Sequence, residues 1–248
     1  MKDSKIPLTG QITFHQSEPS PCPYIDGQTE QTLFTVLYEP DGNDRNAELT
    51  TLGFRRSQNF AYRPFCSNCN ACKPVRIPVA DFAPSTSQKR LLARNADIDW
   101  SWARSEATNE QYKLFQRYQS GRHAGSSMEK MSFGEYKQMV MGAPIKSTMM
   151  MGRSAEDGRL IAVMYFDELE DGGSAVYSFF TPDEPKRGLG TLMVLHLAQH
   201  IRERGQPYLY LGYWIGGCDK MSYKARYRPL EVLTDAGWID FHKAFPED

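Results

Sequence analysis

Over the last hundred residues the apolar positions fall into runs divided by polar turns. Arg159-Leu160-Ile161-Ala162-Val163-Met164-Tyr165-Phe166 predicts a strand. The acidic stretch 167–173 ends in Gly172-Gly173 and leads into a second strand over 174–180, so the two form a hairpin. Pro185 then precedes a helix whose face is marked by Leu189, Leu192, Met193, His196, Leu197, His200 and Ile201, with Gly205 as its stop. A third strand follows directly at 208–213. Upstream, Tyr112, Phe115 and Tyr118 recur at three-residue steps and predict a helix over 106–121, with another over 128–141. The first ninety residues read differently. Nine prolines interrupt them, the strand-like piece at 32–38 is short, and 88–96 reads as a basic turn or short helix.

The order hairpin, Gly-containing turn, helix, strand suggests a three-layer acyltransferase core of the kind that takes acetyl groups from coenzyme A. The expected fold is α+β: an N-terminal cysteine-containing irregular/β domain over 1–95, packed with a GNAT-like mixed-sheet domain over 96–248. Lys186-Arg187-Gly188-Leu189-Gly190 at the helix start could offer backbone N–H groups to a phosphate. Glycines also precede helices for purely steric reasons, and the run falls short of the fuller Gly-rich pattern of acetyltransferases.

At 248 residues, 40% of them hydrophobic, the chain can bury a substantial core as one large domain or two small ones. No apolar run approaches the roughly 18 to 20 residues of a membrane span. Met1–Pro7 carries no apolar segment behind its positive charge, which argues against a secretory signal. Five cysteines, three of them clustered, suit a reducing compartment, so a cytoplasmic location is expected. The net charge of −1 conceals an asymmetry. Residues 55–94 hold eight Lys/Arg against one acid, and residues 186–228 hold eight against two. Two such blocks could fold into one electropositive face for a polyanion, or each could be a solvated surface balanced by acids nearby.

The densest chemistry lies in Phe54–Arg76, where Cys66, Cys69 and Cys72 stand among arginines, aromatic rings and prolines. Thiolates at this spacing can converge on one zinc or iron–sulfur centre; such sites take four ligands, and Cys22 is the natural fourth. The alternative is reduced cysteines packed in a loop. A second string runs from Leu211 through Trp214, Asp219, Lys220, Tyr223, Lys224, Arg226 and Arg228 to Glu231. It begins at a strand end, where α/β proteins place ligands, and its cations and rings suit phosphates, carboxylates and bases. Alternatively Lys224, Arg226 and Arg228 are the exposed face of a strand, alternating with buried Ala225 and Tyr227. His123, after Arg122, reads as a capping or packing residue, and no catalytic triad, Walker A loop or HExxH pattern is present.

At these two strings the chain closely resembles the bacterial aspartate/glutamate leucyltransferases, relatives of the eukaryotic arginyl-tRNA–protein transferases. The resemblance runs nearly end to end through Cys22-Pro23-Tyr24, Gly53-Phe54-Arg55-Arg56-Ser57, Tyr62-Arg63-Pro64, the cysteine run, Gln88-Lys89-Arg90 and Arg122-His123. It continues through Arg187 and Leu189-Gly190, Leu211–Ile215, Lys220-Met221, Tyr223-Lys224 and Tyr227-Arg228-Pro229. One departure is Gly188, where the family is expected to carry Ser. The resemblance implies transfer of leucine from leucyl-tRNA to the α-amino group of proteins beginning with Asp or Glu, marking them for degradation through the N-degron pathway. It also implies an acetyltransferase-like core that has exchanged coenzyme A for aminoacyl-tRNA. The partners expected are aminoacyl-tRNA and those acceptor proteins, with no membrane or DNA. No cofactor is needed for the chemistry beyond a structural zinc or iron–sulfur cluster at Cys22, Cys66, Cys69 and Cys72.

Within that picture Asp219 and Tyr223 are the candidates for proton handling. Arg55, Arg56, Arg63, Lys220, Lys224, Arg226 and Arg228 are candidates for the acceptor carboxylate or tRNA phosphate, with Tyr62, Arg122 and Trp214 beside them. Lys186, Arg187, Gly188 and Gly190 are candidates for the tRNA 3′ end. The nearest alternative is arginyl transfer to the same acceptors; a coenzyme A-dependent acetyltransferase and a non-catalytic RNA-binding protein are further rivals. Leucine wants an apolar pocket, which Met149–Met151 and the strand faces around Met164 could line.

Overall fold

The computed structural model describes residues 11–246. Met1–Pro7, read above as lacking a secretory signal, lies outside the described residues. The front of the chain builds small sheets around a short helix: β1 (His15–Gln16), β2 (Ser20–Pro21), β3 (Thr29–Glu30), β4 (Thr32–Val36), α1 (Gly42–Thr51), β5 (Arg55–Ser57) and β6 (Phe60–Pro64). Strands β1, β4, β6 and β5 form one four-stranded antiparallel sheet in that order, and β2 pairs with β3. After β7 (Lys73–Pro78) come α2 (Thr86–Arg94), β8 (Ile98–Arg104), α3 (Asn109–Arg122), α4 (Phe133–Met141), β9 (Ser147–Ser154), β10 (Leu160–Leu169), β11 (Gly172–Phe180) and α5 (Leu189–Glu203). The chain closes with β12 (Tyr208–Trp214), α6 (Asp219–Ser222), β13 (Glu231–Thr234), β14 (Gly237–Asp240) and α7 (Phe241–Ala244).

A mixed eight-stranded sheet in the order β14-β13-β7-β12-β11-β10-β9-β8 is the frame of the molecule. Only β11 and β12 run parallel; a crossover through α5 joins them. Alternation along the strands gives each face its own core. Met149, Val163, Tyr165 and Phe179 meet Leu114 and Phe115 of α3 and Tyr136 of α4, whereas Met150, Ala162, Met164, Leu209 and Leu211 meet Met193, Leu197 and Ile201 of α5. With both faces covered, β10 is buried along nearly its whole length. This is the three-layer α+β arrangement expected, and the predicted hairpin, helix and third strand are β10, β11, α5 and β12. The methionines expected to share one pocket are split by the same alternation, Met149 to one core and Met150 and Met164 to the other.

The front half is docked rather than tethered. Strand β7, on the N-terminal side of residue 95, lies within the large sheet between β13 and β12. The guanidinium of Arg56 enters the core and meets Asp167 at 2.6 and 2.7 Å, both side chains essentially solvent-free. Asn46 of α1 donates to the same carboxylate at 3.1 Å, and the Trp238 indole donates to Thr51 O at 3.0 Å. Among the described residues no helix is long and apolar enough to cross a membrane.

Candidate functional site

Strands β11 and β12 pair over Gly172–Ser174 and Tyr208–Tyr210, and there the pairing stops. Both strands run on, β11 to Phe180 and β12 to Trp214, leaving backbone groups of β11 in need of partners. Arg55 supplies them: its Nη2 donates to Ala175 O at 3.3 Å and to Val176 O at 3.0 Å. The side chain lies against Gly212, which adopts φ +72°; a Cβ there would stand 2.5 Å from Arg55 Nε. Glycine is required at that position both for its backbone conformation and for the space. Beyond it, the Tyr213 hydroxyl sits 3.0 Å from Gly53 O and 3.1 Å from Tyr62 O, and the Tyr62 and Tyr213 rings meet edge-on at 6.5 Å. The thiol-rich front half and the Trp-Lys-Arg string therefore meet at the open end of β12.

The chain leaving β12 folds into α6 and a 3-10 turn over Tyr223–Arg226, not the strand allowed by the Lys-Ala-Arg-Tyr alternation. Lys224 is consequently buried, only 4% exposed, with Nζ donating to Tyr213 O and standing 3.3 Å from Met221 Sδ. Burial, and then the nearby Arg55, lower its amine to about 7. Burial also raises the Tyr223 hydroxyl above its ordinary value, against the pull of Arg55. Tyr223 feels Tyr118 near the end of α3; Tyr118 in turn packs on Phe180 at 4.9 Å and on His123 at 5.4 Å. Burial, then Lys220 and Arg122, push the His123 imidazole toward its neutral form. Arg122 lies 5.6 Å over the Phe180 ring. Tyr118 and Phe115 are buried in the same core cluster, and nothing in the aromatic periodicity of α3 marked Tyr118 as the ring that also reaches Tyr223.

The start of α5 closes the same region. Gly188 takes φ +59° as its N-cap without a side-chain cap, so the first backbone N–H groups of a 15-residue helix have no side-chain partner at its N-cap. Gly190 lies under Phe180, and the buried Tyr227 hydroxyl faces Thr191 without reaching hydrogen-bond geometry. Lys186 is exposed beside this turn.

Several expected site residues have other work. Arg56 is the buried partner of Asp167, also 2.5 Å from the Tyr165 hydroxyl, so it faces no ligand. Arg187 is spread over Asp97 at 2.8 Å and Glu184 at 2.5 Å, which fixes the turn before α5 and leaves it no edge for a phosphate. Trp214 packs on Phe241 and Phe245 at 4.8 and 5.0 Å. Arg63 lies 5.1 Å over the Phe54 ring. Asp219, Lys220, Arg226 and Arg228 are exposed on the segment after β12.

Cys72 is half-buried; burial and the neighbouring thiols of Cys22, Cys66 and Cys69 push it up to about 12. The four cysteines thus lie close enough to act on one another. Among the described residues, however, no three His, Cys, Asp or Glu side chains stand placed to hold a metal ion as they are.

Residues 20–90 match the family described as arginine-tRNA-protein transferase, N terminus, and residues 110–234 match its C terminus. An aspartate/glutamate leucyltransferase of Gluconacetobacter diazotrophicus is 46% identical over 95% of this chain and 90% of its own. One of Parvibaculum lavamentivorans is 47% identical over 91% of this chain and 93% of its own. Among solved structures, a tandem GNAT protein from the clavulanic acid biosynthesis pathway is similar at 14% identity, over 77% of this chain and 57% of that one, with a TM-score of 0.41.

Proposed function

The chain belongs to the arginine-tRNA-protein transferase family, with the aspartate/glutamate leucyltransferases as its relatives, and from that premise we propose how the cleft works. The protein is an aminoacyltransferase that moves leucine onto proteins beginning with Asp or Glu. Leucyl-tRNA is the donor. The observation that carries this use of the cleft is the meeting of Arg55, Tyr213, Tyr223 and Lys224 where β11 and β12 part.

The terminal adenosine lies between the Tyr118–Phe180 pair and the start of α5, where Lys186 and the N–H groups around Gly188 and Gly190 take its phosphates. The acceptor enters from the front half, its acidic side chain toward the cations at the head of β12. An α-amine with a pKa near 7.7 to 8.0 is mostly protonated at pH 7, so it must lose a proton before it can attack. The minor neutral fraction already present, roughly a tenth, keeps the cost of that step small. It attacks the leucyl ester carbonyl; a C–N bond forms, the C–O bond to the ribose breaks, and the amine's proton ends on the ribose oxygen. Tyr223, protonated, is suited to hand its proton to that leaving oxygen while Asp219 takes one from the amine. The proton on Asp219 then returns to Tyr223 through water, which leaves both groups as they began. Positioning carries much of the rate, since the ester is already activated. No step calls on a metal. The thiol cluster, in this reading, is a structural element that stiffens a proline-rich region, and zinc or iron bound at Cys22, Cys66, Cys69 and Cys72 would serve that purpose alone. The enzyme works in the cytoplasm, supplying proteins with an N-terminal leucine that destabilises them.

The test is a matrix of charged tRNA pools against peptides differing only in their first residue. Leucine is expected on Asp and Glu peptides and on no others. Arginine transfer to those peptides would replace the donor assigned here. Activity with acetyl-coenzyme A in place of tRNA would overturn the reading.

A further inference from the structure

We propose that Arg55 is the group that reads the acceptor's acidic side chain, one edge of its guanidinium fixed to β11 and the other open for a carboxylate. This rests on the leucyl-transfer reading above and assigns within it a specificity that the family alone does not place on any residue.

Three observations lead to it. The first is anchoring: both Ala175 O and Val176 O are taken by Nη2, and among the described residues no hydrogen bond engages Nε or Nη1. A guanidinium held by one edge presents the others in a fixed fork, the geometry a carboxylate accepts with two oxygens. The second is charge. Arg45, Arg56, Arg76, Arg117, Arg153, Arg159 and Arg187 each have a carboxylate within ion-pair distance, whereas the half-buried Arg55 has no such pair among the described residues. Its neighbours are the Tyr24, Tyr213 and Tyr223 side chains and Lys224, whose amine its presence helps to neutralise. A partly desolvated cation without a counter-ion gains most when an anion arrives. The third is space. The bare Gly212, in a left-handed backbone, leaves the room in which the Arg55 side chain itself lies against β12, so that the guanidinium is held where β11 and β12 part. The other candidates lack this combination: Arg63 and Arg122 lie over aromatic rings, while Lys220 and Arg226 are exposed and suit the mobile phosphates of RNA.

The experiment compares wild-type protein, Arg55→Lys and Arg55→Met with saturating leucyl-tRNA and peptides beginning with Asp, Glu, Asn or Gln. The wild type should favour Asp over Asn by at least about 30-fold in kcat/KM, the size expected of a paired charge in a partly buried site. Arg55→Met should bring that ratio to within about threefold of unity, acting through the KM of the Asp peptide, with the KM of leucyl-tRNA unchanged. Arg55→Lys should fall between. A misfolded fraction slows both peptides alike, so the ratio survives poor folding. An Arg55→Met protein that keeps the wild-type ratio overturns the assignment, as does one that loses leucyl-tRNA affinity with the ratio intact, which would make Arg55 a phosphate ligand. A wild type that transfers leucine without preferring Asp over Asn overturns the acceptor reading together with this one.

Discussion

Replacing Arg56 by Met tests whether the two adjacent arginines of β5 have opposite jobs. The Arg56 guanidinium is 1% exposed and the Asp167 carboxylate 0%, with the Asn46 amide and the Ser147 hydroxyl on the same carboxylate at 3.1 and 2.8 Å. Removing one member of such a pair leaves a buried charge without compensation, a loss of about 3–5 kcal/mol. For a chain of this size each kcal/mol corresponds to about 2–4 °C, so a fall in Tm on the order of 10 °C follows. Pairing Arg56→Met with Asp167→Leu removes the orphan charge and should recover at least half of the loss. Calorimetry gives the Tm values, and transfer kinetics normalised to folded protein give the function. Arg56→Met should keep the wild-type KM for both Asp peptide and leucyl-tRNA below its transition. A variant with unchanged Tm and a raised KM for either substrate would refute the structural role and return Arg56 to the site.

Gly212→Ala forces a Cβ to within 2.5 Å of Arg55 Nε from a φ of +72°. It should cost about 1–2 kcal/mol in urea unfolding and lower kcat/KM for Asp peptides far more than for Asn peptides; equal losses on both would argue against a shared role with Arg55. Lys224, lowered from 10.5 to about 7 first by burial and then by Arg55, binds fewer protons in the folded chain than in the unfolded one between those values. Its contribution to stability therefore rises from about pH 7 toward pH 10, by up to ~1.4 kcal/mol per pH unit, and is flat outside that window. Urea midpoints at pH 7 and pH 9 should show a gain in wild type that Lys224→Met lacks; identical pH dependence in the two would contradict it. Lys186→Ala should raise the KM of leucyl-tRNA and shallow its log–log salt slope by about one, whereas Arg187→Ala should shift Tm slightly and leave that slope alone. The reverse order would relocate the RNA contact.

How much of this the chain disclosed depended on whether period and burial agreed. Helix α5 and strands β10 to β12 were legible because each packs a continuous or regularly spaced apolar set against the core. Strand β7 was not: Pro74 and Pro78 bracket it and disguise as loop a strand that lies inside the large sheet. Strand β9, Ser147–Ser154, hides in three successive methionines that alternate between two cores. At 223–226 the alternation of Lys, Ala, Arg and Tyr mimics a strand but forms a 3-10 turn that turns Lys224 inward. The site shows the same limit at single-residue scale. Arg55 and Arg56 are indistinguishable as residue types, yet neighbours on a strand point to opposite faces, so one meets Asp167 and the other the parted strands. Only the partner found in three dimensions separates them.

In the proposed reaction one cleft, lined by the front half through Arg55 and by the back half through Tyr118, Phe180, the start of α5 and residues 219–226, holds donor and acceptor together. The most direct measurement is a crystal structure of the protein with a non-hydrolysable leucyl-adenosine, its ester replaced by an amide, and a short peptide beginning with Asp. The expected density places the adenosine beside Phe180 and Gly188, and the Asp carboxylate within hydrogen-bond reach of Arg55. Density for either ligand on a surface lined by one half of the chain alone would contradict the claim.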